Sequence, residues 1–307
     1  MIPSKIAMHW KLTLAYDGTP YNGWQVQPNL PTVQGTLASA IQRITGETVL
    51  PQGSGRTDTG VHALAQVATF SLAVPIPAAN LQRALNRALP ASIRVLSVEA
   101  VPEDFHARYS ALRKTYEYRI LPCDRDDADD ARICSPMLAP YVWPCRYSLD
   151  LAILQQAAAY ILGTHDFTSF AANDPDQSTR NQANEDRTDN GCDIQPIQRT
   201  VISTGGGALA AAVEKPASLP PLSTSPTTNI RTIYRSTWHR QQDLLLYRVT
   251  GNGFLHHMVR NLVGTFVEAA ANRIPDDAIP GILAARNRSA AGPTAPATGL
   301  FLVEVEY

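Results

Sequence analysis

Gly53-Ser54-Gly55-Arg56-Thr57-Asp58-Thr59-Gly60-Val61-His62 is the stretch on which the reading of this chain turns. Three glycines flank one guanidinium and one carboxylate. Glycine adopts positive φ freely and lets a backbone approach a ligand closely. The segment that follows, Val61 to Leu72, reads as a strand. Asp58 is therefore expected on a tight loop before a strand, where a side chain projects into a cleft. The spacing also fits an Asx-turn, with Asp58 bonding its own loop amides. The loop lacks the Lys-Ser/Thr of a phosphate-binding loop.

Outward from this loop the chain reads as alternating strands and helices. Trp10 to Tyr16 alternates as a strand and Asp17-Gly18-Thr19-Pro20 reads as a turn. Thr32 is a plausible N-cap for a helix carrying Val33, Leu37, Ala40, Ile41 and Ile44, with Gly46 at its stop. Asn80 to Leu89 reads as a helix ended by Pro90, and Ile93 to Val101 as a strand. A second unit holds a strand over Lys114–Leu121, a helix over Leu149–Leu162 capped by Ser148 and closed by Gly163, and a hairpin of Arg231–His239 with Leu244–Thr250 around Gln241, Gln242 and Asp243. A long helix over Phe254–Ala271 and a closing strand over Gly299–Tyr307 complete it. Two such units of mixed order predict an α+β architecture. The halves divide as 1–108, with the Asp58 loop, and 109–307.

Ala171 to Asn229 differs from the rest. Polar residues, a Gly205-Gly206-Gly207 run, alanines and scattered prolines offer little apolar surface to set against chain entropy. A flexible insertion is expected at about 173–229. Gln198-Arg199-Thr200-Val201-Ile202 and Ile230-Arg231-Thr232-Ile233 resemble one another. The second is taken as the strand because the hairpin follows it directly.

The 307 residues suffice for two domains, and 44% apolar content rules out global disorder. No apolar run reaches the ~18–20 residues of a membrane span, and Met1 to Lys11 has no signal-peptide pattern. A soluble cytoplasmic protein is expected. The four cysteines, Cys123, Cys134, Cys145 and Cys192, form no C-x-x-C pair and are too few for a disulfide framework. No H-E-x-x-H occurs either, so a zinc site has little support. The net charge of −1 conceals an uneven distribution. Asp124–Asp130 carries −4 and Asn173–Asn229 carries −3, so the remainder carries +6. That permits a basic face for a nucleic acid without establishing one.

Two further stretches could carry chemistry. Gly251-Asn252-Gly253 opens the helix with His256, His257, Met258, Arg260 and Asn261. Helical spacing pairs His256 with Arg260 and His257 with Asn261, and points the adjacent histidines apart, which disfavours one metal using both. The same pattern fits an ordinary amphipathic helix. Phe105-His106-Ala107-Arg108-Tyr109 and Lys114-Thr115-Tyr116-Glu117-Tyr118-Arg119 interleave bases with aromatics, as RNA-binding surfaces do. They equally fit a solvated strand face over core tyrosines.

Together these motifs resemble the TruA family of tRNA pseudouridine synthases. The resemblance runs in family order through Tyr16-Asp17-Gly18-Thr19, Gly23-Trp24-Gln25, Thr32-Val33-Gln34, the Gly55–His62 loop, Leu85-Asn86, Leu89-Pro90 and Asp104-Phe105-His106-Ala107-Arg108. It continues through Tyr116-Glu117-Tyr118, Asp166-Phe167-Thr168-Ser169-Phe170, His257-Met258-Val259-Arg260-Asn261 and Gly292-Pro293-Thr294-Ala295-Pro296. It implies two similar α/β halves, with antiparallel sheets flanked by helices, around a central basic RNA-binding cleft. It implies conversion of uridine to pseudouridine at positions 38 to 40 of the tRNA anticodon stem-loop, by a homodimer that needs no cofactor.

The resemblance makes Asp58 the catalytic carboxylate, as nucleophile at C1′ or as base on the sugar, with Arg56 beside it and Arg260 pairing with the carboxylate. It makes Tyr116 the ring against the target base, with Arg108 and Asn252 as further substrate contacts. Arg87, Arg108, Lys114 and Arg119 are candidates for phosphates. The long acidic connection from Phe170 to Arg231 departs from the usual short one, as an acidic flap near the cleft or a loop pointing away from RNA. The competing reading keeps the fold as a non-catalytic RNA-binding protein or chaperone. A glycosidase would need two carboxylates, and the motif supplies one.

Overall fold

A computed structural model describes residues 7–122, 133–172 and 229–307, which fall in one compact unit. The acidic run at 124–130, Gln198–Ile202, Cys123, Cys192 and nearly all of the expected insertion lie outside the described residues. In chain order the principal elements are β1 (Met8–Tyr16), α1 (Val33–Thr45), β2 (Gln52–Gly53), β3 (His62–Leu72), α2 (Ala78–Ala88), β4 (Ile93–Ala100) and β5 (Arg113–Pro122). There follow β6 (Trp143–Cys145), α3 (Leu151–Ala159), β7 (Gly163–Asp166), β8 (Ile230–Gln241), β9 (Leu244–Gly251), α4 (Met258–Ala270), α5 (Ala278–Ala285) and β10 (Leu300–Glu306).

The expected mixed α+β architecture forms around one sheet, in the order β4-β1-β3-β10-β5-β9-β8-β7. The short β2 pairs with β3, and β6 with β5. The last strand of the chain sits at the centre. β10 runs parallel to β3, opposite His62 and Ala63, and antiparallel to β5. Strands from residues 8–100 are thereby joined to those from 113–251. The long helices follow the same division: α1 packs on α2 and α2 on β4, while α3 packs on α4 and β8.

Local chemistry explains most boundaries. In β1 every second residue, Trp10, Leu12, Leu14 and Tyr16, is buried, as a period of two requires. Thr32 caps α1 by accepting the Gly35 N–H, and Gly46 ends it in the left-handed conformation at φ 75°. The hairpin turns on Gln242-Asp243, as expected.

Other boundaries moved. The cap of α3 is Asp150, not Ser148: its carboxylate accepts from the Ala152 and Ile153 amides, and Leu149 is buried ahead of the helix. The helix stops at Ala159, and Gly163 at φ 96° opens β7 instead. α4 begins at Met258, not Phe254, because His257 takes φ 57°. β2, β6 and β7 are too short to show periodicity, and Pro280-Gly281 inside α5 reads as a breaker. That proline lies in the helix's first turn, where no amide is needed from it.

Candidate active site

The glycine-rich loop enters β3 held from both sides. Ser54 Oγ donates to Gln66 Oε1 at 2.7 Å, and Gln66 Nε2 donates back to the Gly55 carbonyl at 3.0 Å. The Trp24 amide donates to the Thr57 carbonyl at 3.0 Å, and Thr57 Oγ1 lies 2.8 Å from the Tyr16 hydroxyl. Gly23, at φ 80°, brings its backbone so close to this loop that a Cβ would lie 2.5 Å from the Thr57 carbonyl oxygen. The Tyr-Asp-Gly-Thr and Gly-Trp-Gln segments are thus a cradle for the loop. His62 belongs to the same scaffold. Its Nδ1 accepts the Gly18 amide, its Nε2 lies 3.0 Å from the Pro140 carbonyl, and its ring stacks on Phe301. Burial lowers its pKa, so it serves as a neutral linker.

From this cradle the Asp58 carboxylate faces the start of α4. Arg260 Nη1 donates to Asp58 Oδ2 at 2.9 Å, while its Nε donates to the Ala295 carbonyl at 2.8 Å. The Ala295 amide returns a bond to the Arg260 carbonyl. The Gly292–Pro296 segment is therefore a brace for this arginine. Asn261, fully buried, ties the brace together: its Oδ1 accepts from Thr294 and Arg288, and its Nδ2 donates to the Phe170 carbonyl. Gly264 lets the brace touch the helix, since a Cβ there would lie 1.7 Å from the Pro293 carbonyl oxygen.

Two residues near the carboxylate were missed as a pair. His256 Nε2 lies 3.6 Å from Oδ1 and His257 Nε2 lies 3.3 Å from Oδ2, with the two rings 3.9 Å apart. Helical spacing points these histidines apart, but both precede the helix, and the positive φ of His257 turns them to the same acid. No capping side chain marks the true start either, since His257 makes no side-chain cap bond, so the sequence carried no signal of it. Burial lowers the His257 pKa, with His256, Arg260 and Arg288 acting in the same direction against Asp58. The ligand atoms of Asp58, His256 and His257 all lie within 4.8 Å of one another, a spacing that could admit a divalent metal. Arg260 on the same carboxylate opposes such an ion.

Tyr116 is buried on β5, edge-on to Phe254 at 5.1 Å. Burial raises its pKa, and the neighbouring Tyr16 and the Asp58 charge add to this, so its hydroxyl stays protonated. Arg56 is exposed two residues before Asp58. Arg108 is exposed beside the Tyr109 ring. Lys114 Nζ donates to the Ser54 carbonyl at 2.5 Å, and burial, with Arg108 and Arg231 nearby, brings its pKa down to about 8. Asn252 closes a turn, its Oδ1 accepting the Thr232 amide. Arg119 is engaged within the protein: its Nε donates to Glu117 at 3.0 Å and its guanidinium lies over Phe301. Arg87 is exposed at the end of α2.

The site is thus an arginine-held carboxylate near a buried, protonated tyrosine. A family model described as tRNA pseudouridine synthase matches residues 13–110 and 221–307. A Solibacter usitatus protein named tRNA pseudouridine synthase A is 42% identical over 298 residues, covering 97% of this chain and 98% of the relative. Proteins of the same name from Moorella thermoacetica and Acetivibrio thermocellus are 40% and 37% identical, each over 97% of this chain and 98% of the relative. The chain belongs to the tRNA pseudouridine synthase family. These relatives match it almost end to end. Among the described residues no helix is long and apolar enough to cross a membrane.

Proposed function

We propose that this chain isomerises uridine to pseudouridine at positions 38 to 40 of the tRNA anticodon stem-loop, with Asp58 as its catalytic carboxylate. The observation that carries this reading is Asp58, held by Arg260 at 2.9 Å and close enough for its charge to act on the buried Tyr116. The reaction breaks the C1′–N1 bond, turns the uracil and joins C1′ to C5. A carboxylate can attack C1′ as a nucleophile or abstract a sugar proton, and both routes use the same oxygen. Arg260 supplies the opposite charge, and its hold on Oδ2 leaves Oδ1 facing the substrate. The Tyr116 ring is a wall for the detached base, which must be kept from water.

The target uridine leaves its stack first, at roughly a few kcal/mol, and Arg56 fills the space it vacates. Arg108 and Asn252 contact the RNA around the site, and exposed bases such as Arg87 neutralise phosphates. The two halves, 1–108 and 109–307, form the walls of the RNA cleft. The enzyme acts in the cytoplasm as a homodimer and uses neither metal nor cofactor. A binding protein without turnover would have no use for a carboxylate braced in this way.

The test maps pseudouridine in transcribed tRNA by carbodiimide adduct and primer extension. New stops at positions 38 to 40 with the wild type, absent with Asp58→Ala, are expected. Bound tRNA without stops would overturn the reading in favour of the binding protein.

A further inference from the structure

The isomerisation makes a second demand, beyond the chemistry at C1′. In uridine C5 bears hydrogen and N1 bears the sugar; in pseudouridine the two are exchanged. When the detached uracil has formed the C1′–C5 bond, C5 still holds its proton. That C–H bond must break, its electron pair restoring C5=C6. The N1=C6 pair then returns to N1, which takes up a proton. The step needs no oxidant or reductant, only a group that accepts one proton at C5 and returns one at N1.

C5 is by then bonded to C1′, at or next to the sugar carbon on which Asp58 acts, so the acceptor must lie beside that carboxylate. Arg260 has no acceptor atom. The Tyr116 hydroxyl keeps its own proton and cannot take another. Asp58 Oδ2 is held by Arg260 at 2.9 Å and faced by His257 at 3.3 Å. His256 stands 3.6 Å from Oδ1, the oxygen that Arg260 leaves unbound. Imidazole is the side chain suited to taking and giving a proton near neutral pH.

The backbone supports a functional reason for this placement. His257 holds φ 57°, in the left-handed region that few residues other than glycine adopt, histidine being one of the more tolerant. Strain of this kind collects at functional sites. Here it brings both imidazoles to the carboxylate when a regular helix start would separate them.

We infer that His256 is the base that removes the C5 proton and returns it at N1. The inference rests on the isomerase reading above. Its test is His256→Gln in single-turnover reactions at saturating tRNA, with transcripts carrying ordinary or 5-deuterated uridine. The rate is expected to fall roughly 10²–10³-fold with little change in tRNA affinity. The deuterium effect should grow well beyond that of the wild type, because breaking C5–H becomes the slow step. Added imidazole should restore part of the rate to His256→Ala. A rate within about threefold of wild type, or a fall without a larger isotope effect, would overturn the assignment; the latter would make His256 a positioning residue. A wild type that forms no pseudouridine would defeat the parent reading instead, and this one with it.

Discussion

Replacing Arg260 by methionine should damage both stability and turnover, by amounts the geometry sets. The side chain makes two bonds, one to Asp58 Oδ2 at 2.9 Å and one to the Ala295 carbonyl at 2.8 Å. A hydrogen bond to a charged group contributes ~1.5–3 kcal/mol, and removing one partner of a buried ion pair costs ~3–5 kcal/mol. The Arg260 and Asp58 side chains are 15% and 19% exposed, so water offsets part of this, and two imidazoles within 3.6 Å offset more. A loss of ~2–3 kcal/mol follows, which lowers Tm by several degrees. Applied to a misaimed carboxylate, the same figure is a roughly 30–150-fold drop in kcat. Arg260→Lys keeps the charge but cannot reach both acceptors, and a loss nearer tenfold is expected. Single-turnover pseudouridine formation and thermal melts measure the two effects. On stability, Arg260→Met should cost at least ~1 kcal/mol less in an Asp58→Asn background, a coupling beyond the ~0.3–0.5 kcal/mol of independent sites. Turnover within twofold of wild type, or additive stabilities, would refute the account of Arg260 as the charge partner.

Gly264→Ala forces a methyl group against the Pro293 carbonyl, a contact of 1.7 Å if nothing moves. A loss of ~1–3 kcal/mol or more is expected, together with lower turnover because the displaced brace holds Arg260. Gly281→Ala, in α5 with open space around it, should melt at or slightly above the wild type, and equal melting of the two variants would contradict the packing argument. Lys114 gives a pH prediction. With its pKa brought down to about 8, its charge is full below that pH and is lost as pH rises through it. A phosphate held there makes tRNA Kd rise several-fold between pH 7 and pH 9, with a flatter response in Lys114→Met. Fluorescence anisotropy reads this, and a pH-independent wild-type Kd would remove Lys114 from the RNA contacts.

The fold was legible wherever a segment carries its own periodicity or cap. β1 alternates, α1 has both Thr32 and Gly46, and the Gln242-Asp243 turn separates two apolar runs. Capping by Asp150 was less legible, since Ser148 and Asp150 both precede the same apolar run and only folded geometry chooses between them. In the site, the glycines around Asp58 were readable because backbone constraint is local. The histidine pair was not, because helical spacing was carried back to Phe254 through residues that are not helical. The network of Asn261, Thr294 and Arg288 was invisible for another reason. Its bonds join segments about thirty residues apart, and each residue taken singly is an ordinary polar side chain.

The bond between Arg260 and Asp58 spans 202 residues, and the topology explains how it can be made. Asp58 lies just ahead of β3, Tyr116 lies on β5, and neither strand touches the other in the sheet order. The strand between them is β10, the last of the chain, parallel to one and antiparallel to the other. Its approach segment, 292–299, braces Arg260 through Ala295 and meets Tyr118 through the Pro296 carbonyl, which accepts the tyrosine hydroxyl at 2.7 Å. One stretch of chain thus separates the strands beside Asp58 and Tyr116 and braces the arginine. Asp58 has its cradle from Tyr16, Trp24 and Gln66 on one side and its charge partner, braced through Ala295, on the other. The guanidinium that meets the carboxylate is thus braced by the segment that leads into β10.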